Sequence, residues 1–206
     1  PTGESGDFEK ANFPIGVEGG KTSTCPTQNL MEAYDMKDGT PFVWNNQSNP
    51  YDNRDPRMKY TIVCNEMKWP VDPVEIWEGG TNGLPLQNAT TTGYYLKKYV
   101  NNTISFEAGS TVTKKQHNWV LFRYGEILLN YAEAMINAFH DPNYKDAVYN
   151  MSAREAVNQI RGRTNISLPG FPSDITEKDF VKRLKNERRV ELAFEGHRFW
   201  DVRRWK

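Results

Sequence analysis

Three carboxylates spaced four residues apart, Glu187, Glu191 and Glu195, fall on one face of a helix. Arg188, Arg189, Arg198, Asp201, Arg203 and Arg204 lie beside them in the chain. Paired carboxylates are what glycoside hydrolysis uses, one as proton donor and the other as nucleophile or base. The donor needs a pKa raised by an apolar pocket or a like charge, and neighbouring guanidinium groups act in the opposite sense. The favoured reading is therefore architectural. Glu187, Arg188, Glu191, Glu195, Arg198 and Asp201 are expected to pair with one another, largely buried, and to tie the last helices together. A glycosidase built on the same ladder is the alternative.

Other chemistries lack their minimal parts. His117, His140 and His197 are scattered, with no His-x-x-x-His and no Glu at ligand spacing, so no metal site is expected. Neither GxGxxG, GxxxxGK[ST] nor GxSxG occurs, which removes the phosphate-cradling loops and the nucleophile elbow. No cofactor is implied. Asn46, Asn88, Asn101, Asn150 and Asn165 each open an N-x-[ST] sequon, but 19 asparagines in a Thr-rich chain produce such matches by chance.

The loop-rich aromatics carry more information. Trp44, Tyr51, Trp69, Trp77, Tyr94 and Tyr95 stand among Asn, Asp, Gln, Thr and Gly. A sugar presents an apolar C–H face and a rim of hydroxyls, so its site combines an aromatic platform with amide and carboxylate edges. Trp77 precedes Glu78, Gly79, Gly80, Thr81, Asn82 and Gly83. Those glycines let the chain turn sharply, with Glu78 and Asn82 placed to reach hydroxyls around a ring stacked on the indole. Trp69, before Pro70, Asp72 and Pro73, is the second choice, held out to solvent by a stiff loop. Trp44 and Tyr51 complete the candidate set. Trp119, Tyr124, Trp200 and Trp205 lie on or beside helical stripes and are expected in the core.

The elements that must position these residues differ along the chain. Residues 1–118 hold most of the turn dipeptides and few long periodic runs, so they read as a loop-rich, ligand-facing part. One helix is expected from Pro26 to a stop near Gly39, and short strands at 59–63 and 93–100. Residues 119–206 read as a helical scaffold. Leu121, Leu128, Ala132, Met135 and Phe139 line one stripe; Tyr124, Ile127, Tyr131, Ala134 and Ala138 line another, which predicts a helix covered on two sides. A second helix carries Ala153, Ala156, Val157 and Ile160 and ends near Asn165. A third starts at Thr176, with Asp179 placed to help cap it, and runs into residues 192–194 before Gly196. The expectation is a mainly α fold of stacked antiparallel helices with a loop-rich part containing short β elements.

Composition sets the outer limits. The chain has 206 residues, enough to bury a sizeable core, and its 13% aromatic content is too high for a disordered chain. Basic and acidic residues number 26 each, and residues 1–150 carry 13 basic against 18 acidic groups, so nothing attracts a phosphate backbone and no nucleic-acid partner is expected. No apolar run approaches a membrane span. Cys25 and Cys64 have no CxxC context, and spacing alone leaves open whether they are bridged.

Five segments, in order, resemble the C-terminal part of the SusD/RagB family, the outer-membrane nutrient-binding lipoproteins of Bacteroidota-type polysaccharide uptake systems. They are residues 26–34 (PTQNLMEAY), 53–57 (NRDPR), 92–99 (TGYYLKKY), 122–134 (FRYGEILLNYAEA) and 187–205 (ERRVELAFEGHRFWDVRRW). Gly125 stands where the family usually has Ala, and Asn165 where a Gly commonly ends a helix, a left-handed position that Asn also accepts. The resemblance implies a single domain over residues 1–206 belonging to a longer lipoprotein, whose lipidated Cys and tetratricopeptide-like half lie outside this chain. It implies glycan binding at the cell surface without catalysis, in partnership with a SusC-like TonB-dependent transporter. Membrane attachment is expected only through the lipid anchor. An interaction protein that docks the transporter without a ligand site of its own is the further alternative.

Overall fold

Ser152 and Thr176 show how local chemistry starts the helices of the C-terminal part. Ser152 Oγ accepts from Glu155 N while the Glu155 carboxylate accepts from Ser152 N, a reciprocal cap on a first turn whose N–H groups have no other partner. Thr176 Oγ1 accepts from Asp179 N in the same way. In this computed structural model, residues 6–17, 19–44, 49–104, 106, 118 and 120–205 are described. His117, Trp119 and Asn46 lie outside the described residues.

The helices are, in order, α1 (Asp7–Asn12), α2 (Gln28–Ala33), α3 (Pro56–Thr61), α4 (Tyr124–Phe139), α5 (Ala153–Arg161), α6 (Glu177–Glu191) and α7 (Arg198–Arg204). β1 (Ile62–Val63) and β2 (Tyr95–Leu96) lie between α3 and α4. The fold is mainly α, with few and short strands. The chain divides into two units: Pro1–Glu32 with Met58–Trp119, and Ala33–Arg57 with Val120–Lys206. Part of the loop-rich region, residues 33–57, thus folds with the C-terminal helices.

The core of the helical unit comes from α4, α5 and α6. Leu128, Leu129, Ala132, Met135 and Ile136 meet Ala153, Ala156, Val157 and Ile160, with Phe180, Leu184 and Phe171 closing the cluster. Only one face of α4 is covered. Its second stripe is exposed at Tyr124, Ile127, Ala134 and Ala138, and Leu121 before the helix is exposed as well. The two-sided burial expected for α4 is corrected: periodicity identifies residues that share a face, whereas burial requires a neighbouring element over that face. Tyr124 and Trp200, each 67% exposed, are likewise not core, while Trp205 is half-buried and donates its Nε1–H to Glu133.

Several boundaries also move. α5 ends at Arg161, four residues ahead of the expected end, and the left-handed residue beyond it is Ser167, not Asn165. α6 ends at Glu191, because the backbone turns left-handed at Phe194 and again at Gly196. The expected helix at 26–39 is only α2, and residues 59–61 belong to α3 instead of a strand. Pro56 occupies a first-turn position, where a missing N–H costs nothing, and that start carries the helix into the expected strand.

The other unit has little regular structure. β1 and β2 pair antiparallel, Ile62 opposite Leu96 and Val63 opposite Tyr95, with all four side chains buried. Polar side chains hold the surrounding loops. Buried Glu9 accepts from Asn101 N at 2.9 Å, Tyr95 Oη donates to Asn82 O at 2.5 Å, and Tyr94 Oη donates to Gln28 Oε1 at 2.6 Å. No disulfide joins Cys25 and Cys64. No described helix is long and apolar enough to cross a membrane.

The one-sided burial of α4 has a measurable consequence. Leu129→Ala removes a fully buried side chain and is expected to cost about 2 to 5 kcal/mol. Ile127→Ala, two residues away on the exposed face, is expected to stay within about 0.5 kcal/mol. Chemical denaturation of the two variants checks this; equal losses would restore a two-sided helix.

Candidate functional site

The glutamate ladder is buried and fully paired, but its cations come from elsewhere. Glu187 Oε1 accepts from Arg57 Nη1 at 2.5 Å and Oε2 from Arg161 Nη1 at 2.7 Å. Glu191 accepts from Arg57 at 2.9 Å, from Arg123 at 2.6 Å and from both terminal nitrogens of Arg163 at 2.9 Å. Glu195 accepts from Arg123 Nε at 2.7 Å and Nη2 at 2.8 Å. Within the six residues expected to pair mutually, the direct pair is Arg188 with Asp201, whose two oxygens accept from Nε at 2.8 and 2.9 Å. Arg198 is exposed and outside the network. Both expectations are corrected for one reason. Acids at i, i+4 and i+8 point the same way, so their counter-ions must come from elements packed against that face. Nothing in the spacing of Arg57, Arg123, Arg161 and Arg163 marks them as those partners, although Arg57 and Arg123 fall in segments that carry the family resemblance.

Gly125 has a part in this arrangement. A Cβ there would stand 2.6 Å from Arg123 Nη1 and 3.2 Å from Glu191 Oε1, so its absence leaves room for the Arg123 fork.

Electrostatics decides what the ladder can do. Burial alone pushes the Glu191 carboxyl up, but the Arg57, Arg123 and Arg163 guanidinium charges outweigh it and hold the group down to about 2. Glu187 is lowered by the same balance of burial against Arg57 and Arg161. Burial raises Asp35, and the Arg161 charge only partly offsets it. Glu187 and Glu191 are thus permanent anions at neutral pH, the opposite of a proton donor. Among the described residues no group of three or more His, Cys, Asp and Glu could hold a metal ion.

The aromatic candidates separate sharply. Trp77 is 47% exposed and Glu78 beside it is exposed. They sit on a tight turn in which Gly80 N donates to Trp77 O at 3.0 Å and Gly79 N to Leu84 O at 2.6 Å. Gly79 has a φ of +88°, and a Cβ on Gly83 would collide with Trp77 O, so two of the glycines are there for conformation and close approach. Glu75 supports the same turn, accepting from Thr81 N and Thr81 Oγ1.

Asn82 does not reach outward. It is 7% exposed, its Oδ1 accepts from Glu75 N at 2.9 Å and its Nδ2 donates to Ile15 O at 2.6 Å, so it fastens two loops together. Trp69 is also corrected: it is 6% exposed, not held out to solvent. The loop folds back through Trp69 N donating to Asp72 O and a bridge between Lys68 and Pro73, and the Lys97 ammonium lies 4.9 Å from the centroid of the indole. Trp44 and Tyr51 belong to the helical unit. Trp44 is half-exposed and packs edge-on against Phe42 at 5.2 Å, and Tyr51 is half-buried. Trp77 and Glu78 thus stand exposed side by side, whereas Asn82 and Trp69 are buried among the neighbouring loops.

Residues 4–206 match the family model described as the SusD family. Among curated proteins, SusD-like protein P38 of Formosa agariphila is 37% identical over 91 residues, covering 41% of this chain and 16% of that protein. SusD-like protein P2 of the same organism is 32% identical over 104 residues, covering 48% and 19%. Two solved Bacteroides fragilis proteins, one described as SusD-like and the other as a SusD-like carbohydrate binding protein, each superpose with a TM-score of 0.76 at 27% identity. They cover 96% of this chain and 40% and 38% of their own chains, so this chain spans about two fifths of their length.

The ladder's charge state predicts an acid limit. The Glu191 pKa is depressed in the fold from its ordinary 4.5 to about 2, so its contribution is complete above pH 4.5 and is lost as pH falls toward 2. That contribution is on the order of 3 kcal/mol. Stability measured by denaturation at pH 6 and pH 3 should fall in the parent and fall less in Glu191→Gln, which starts lower. Parallel pH profiles would contradict the pairing.

Proposed function

The chain belongs to the SusD family, and from that premise we propose that it is a non-catalytic glycan-binding subunit of a nutrient-uptake system. In this reading it is part of a lipoprotein displayed at the outer membrane, delivers bound glycan to a SusC-like TonB-dependent transporter, and uses the helical unit as scaffold. The observation that carries the reading is Trp77, a large aromatic half-exposed on a glycine turn that Glu75 and Asn82 hold in place. A rigid exposed indole offers a stacking face at little entropic cost, and the adjoining Glu78 supplies acceptors for hydroxyls. A solved relative described as a carbohydrate binding protein supports the same class of ligand. Absence of catalysis is supported by the ladder, whose buried glutamates are held ionised by arginines. Trp44 is a further exposed aromatic, on the other unit.

Trp77→Ala is expected to weaken glycan retardation in polysaccharide affinity gels with an unchanged melting temperature. Losing an indole stacked on a ring should cost on the order of 1 to 3 kcal/mol, by analogy with base stacking on aromatics, or about 5- to 150-fold in affinity. Retardation equal to the parent would remove Trp77 from the site. Release of reducing ends from mixed oligosaccharides, abolished by Glu191→Gln in a folded protein, would replace binding with hydrolysis.

A further inference from the structure

The buried Trp69 indole is one wall of an open space. A cavity of about 600 Å3 lies among four loop segments of the unit that contains β1 and β2, around residues 13, 16–17, 69–73, 81–82, 102–104 and 106. That volume is within the range of small-molecule sites. Its buried lining is Phe13, Trp69 and Ile104 with the amide of Asn82 among them. Its exposed lining mixes polar Asp72, Thr81, Asn102 and Thr103 with apolar Val71 and Pro73. Apolar side chains interleaved with a carboxylate, amides and hydroxyls complement a ring that has a C–H face and hydroxyl edges.

The walls are fixed before any ligand arrives. Asn82 joins Ile15 O to Glu75 N, so the 13–17 segment is tied to the 81–82 turn. Gly16 adopts a φ of +90° where a Cβ would collide with Thr81 O, and this allows the two backbones to touch. On the far wall Asn101 N donates to buried Glu9, and the Asn101 side chain accepts from Thr103 N and Thr103 Oγ1. Lys97 against the Trp69 ring keeps the indole in place. Such preorganisation reduces the ordering cost of binding.

Charge narrows the ligand. Among the described lining residues Asp72 carries the one formal charge. A carboxylate accepts from sugar hydroxyls and repels uronates and sulfate esters. The volume suits one or two sugar units, the end or a branch of a chain, whereas the flat Trp77 face is absent from this lining.

We propose that this cavity is a second glycan subsite, taking one or two uncharged sugar units beside the edge of Trp69 with Asp72 and Asn102 at their hydroxyls. It rests on the glycan-binding reading above and adds to it a pocket of defined charge preference.

The test is a 1H–15N NMR titration of the full chain, following the Trp69 indole N–H, assigned by Trp69→Phe. The probes are neutral mono- and disaccharides of glucose, galactose, mannose, xylose and N-acetylglucosamine, with glucuronate as the anionic counterpart. A neutral sugar should move the Trp69 signal and glucuronate should not. Asp72→Ala should weaken that titration about 10-fold, the scale of a hydrogen bond to a charged group. If Asp72→Ala melts early, Asn102→Ala on the same exposed rim reads the loss instead. A silent Trp69 in a protein still retarded by polysaccharide overturns the pocket and leaves the glycan reading standing. Silence together with no retardation overturns both. Equal response to glucuronate, or an unaltered titration in the rim variants, overturns the assignment of Asp72.

Discussion

The helical unit depends on keeping two buried carboxylates neutralised. Glu187 and Glu191 sit one turn apart on α6, and each would be strongly unfavourable there as an isolated charge. Four arginines resolve this. Arg57 reaches both glutamates, Arg161 reaches Glu187, and Arg123 and Arg163 reach Glu191. Because those cations come from the 33–57 segment, the approach to α4, and the end of α5 and its following turn, the need for counter-ions specifies which pieces of this unit surround α6. Apolar packing among α4, α5 and α6 supplies the larger driving force, but it is non-directional. The ion pairs are directional, and they bring residues 33–57 into the helical unit although their loop-rich texture matches the other one.

In the second unit buried polar side chains replace regular structure. With two short strands among the described residues, its loops are fastened by Glu9, Asn82, Tyr94 and Tyr95, each making a hydrogen bond to another segment. Loop backbone cannot be left unpaired when buried, and Glu9, Asn82 and Tyr95 supply partners that a sheet would otherwise provide. The functional consequence is rigidity at low regularity. The Trp77 turn and the cavity beside Trp69 are both loop structures, yet both are braced by Asn82, so one amide serves two surfaces that differ in shape and exposure.

The two units differ in how they bury polar groups. In the helical unit the buried carboxylates stay ionised beside guanidinium partners. In the other unit amides and hydroxyls brace loops around aromatic rings. In the reading proposed above, the first arrangement serves as scaffold and the second presents the glycan-binding surface.

Much of this was legible in the residues alone. Helical periodicity identified α4, α5 and α6, the Thr176 signal located the start of α6, and the four-residue spacing placed the glutamates on one face, because these are properties of neighbours along the chain. The run of glycines after Trp77 marked a tight turn for the same reason. Tertiary structure alone decided which arginines answer the glutamates, that the second stripe of α4 is left exposed, that Trp69 turns inward, and that Asn82 is buried as a brace between two loops. Each of those outcomes depends on which distant segment arrives opposite the residue in question. Spacing reports direction along an element, and only packing supplies what lies in that direction.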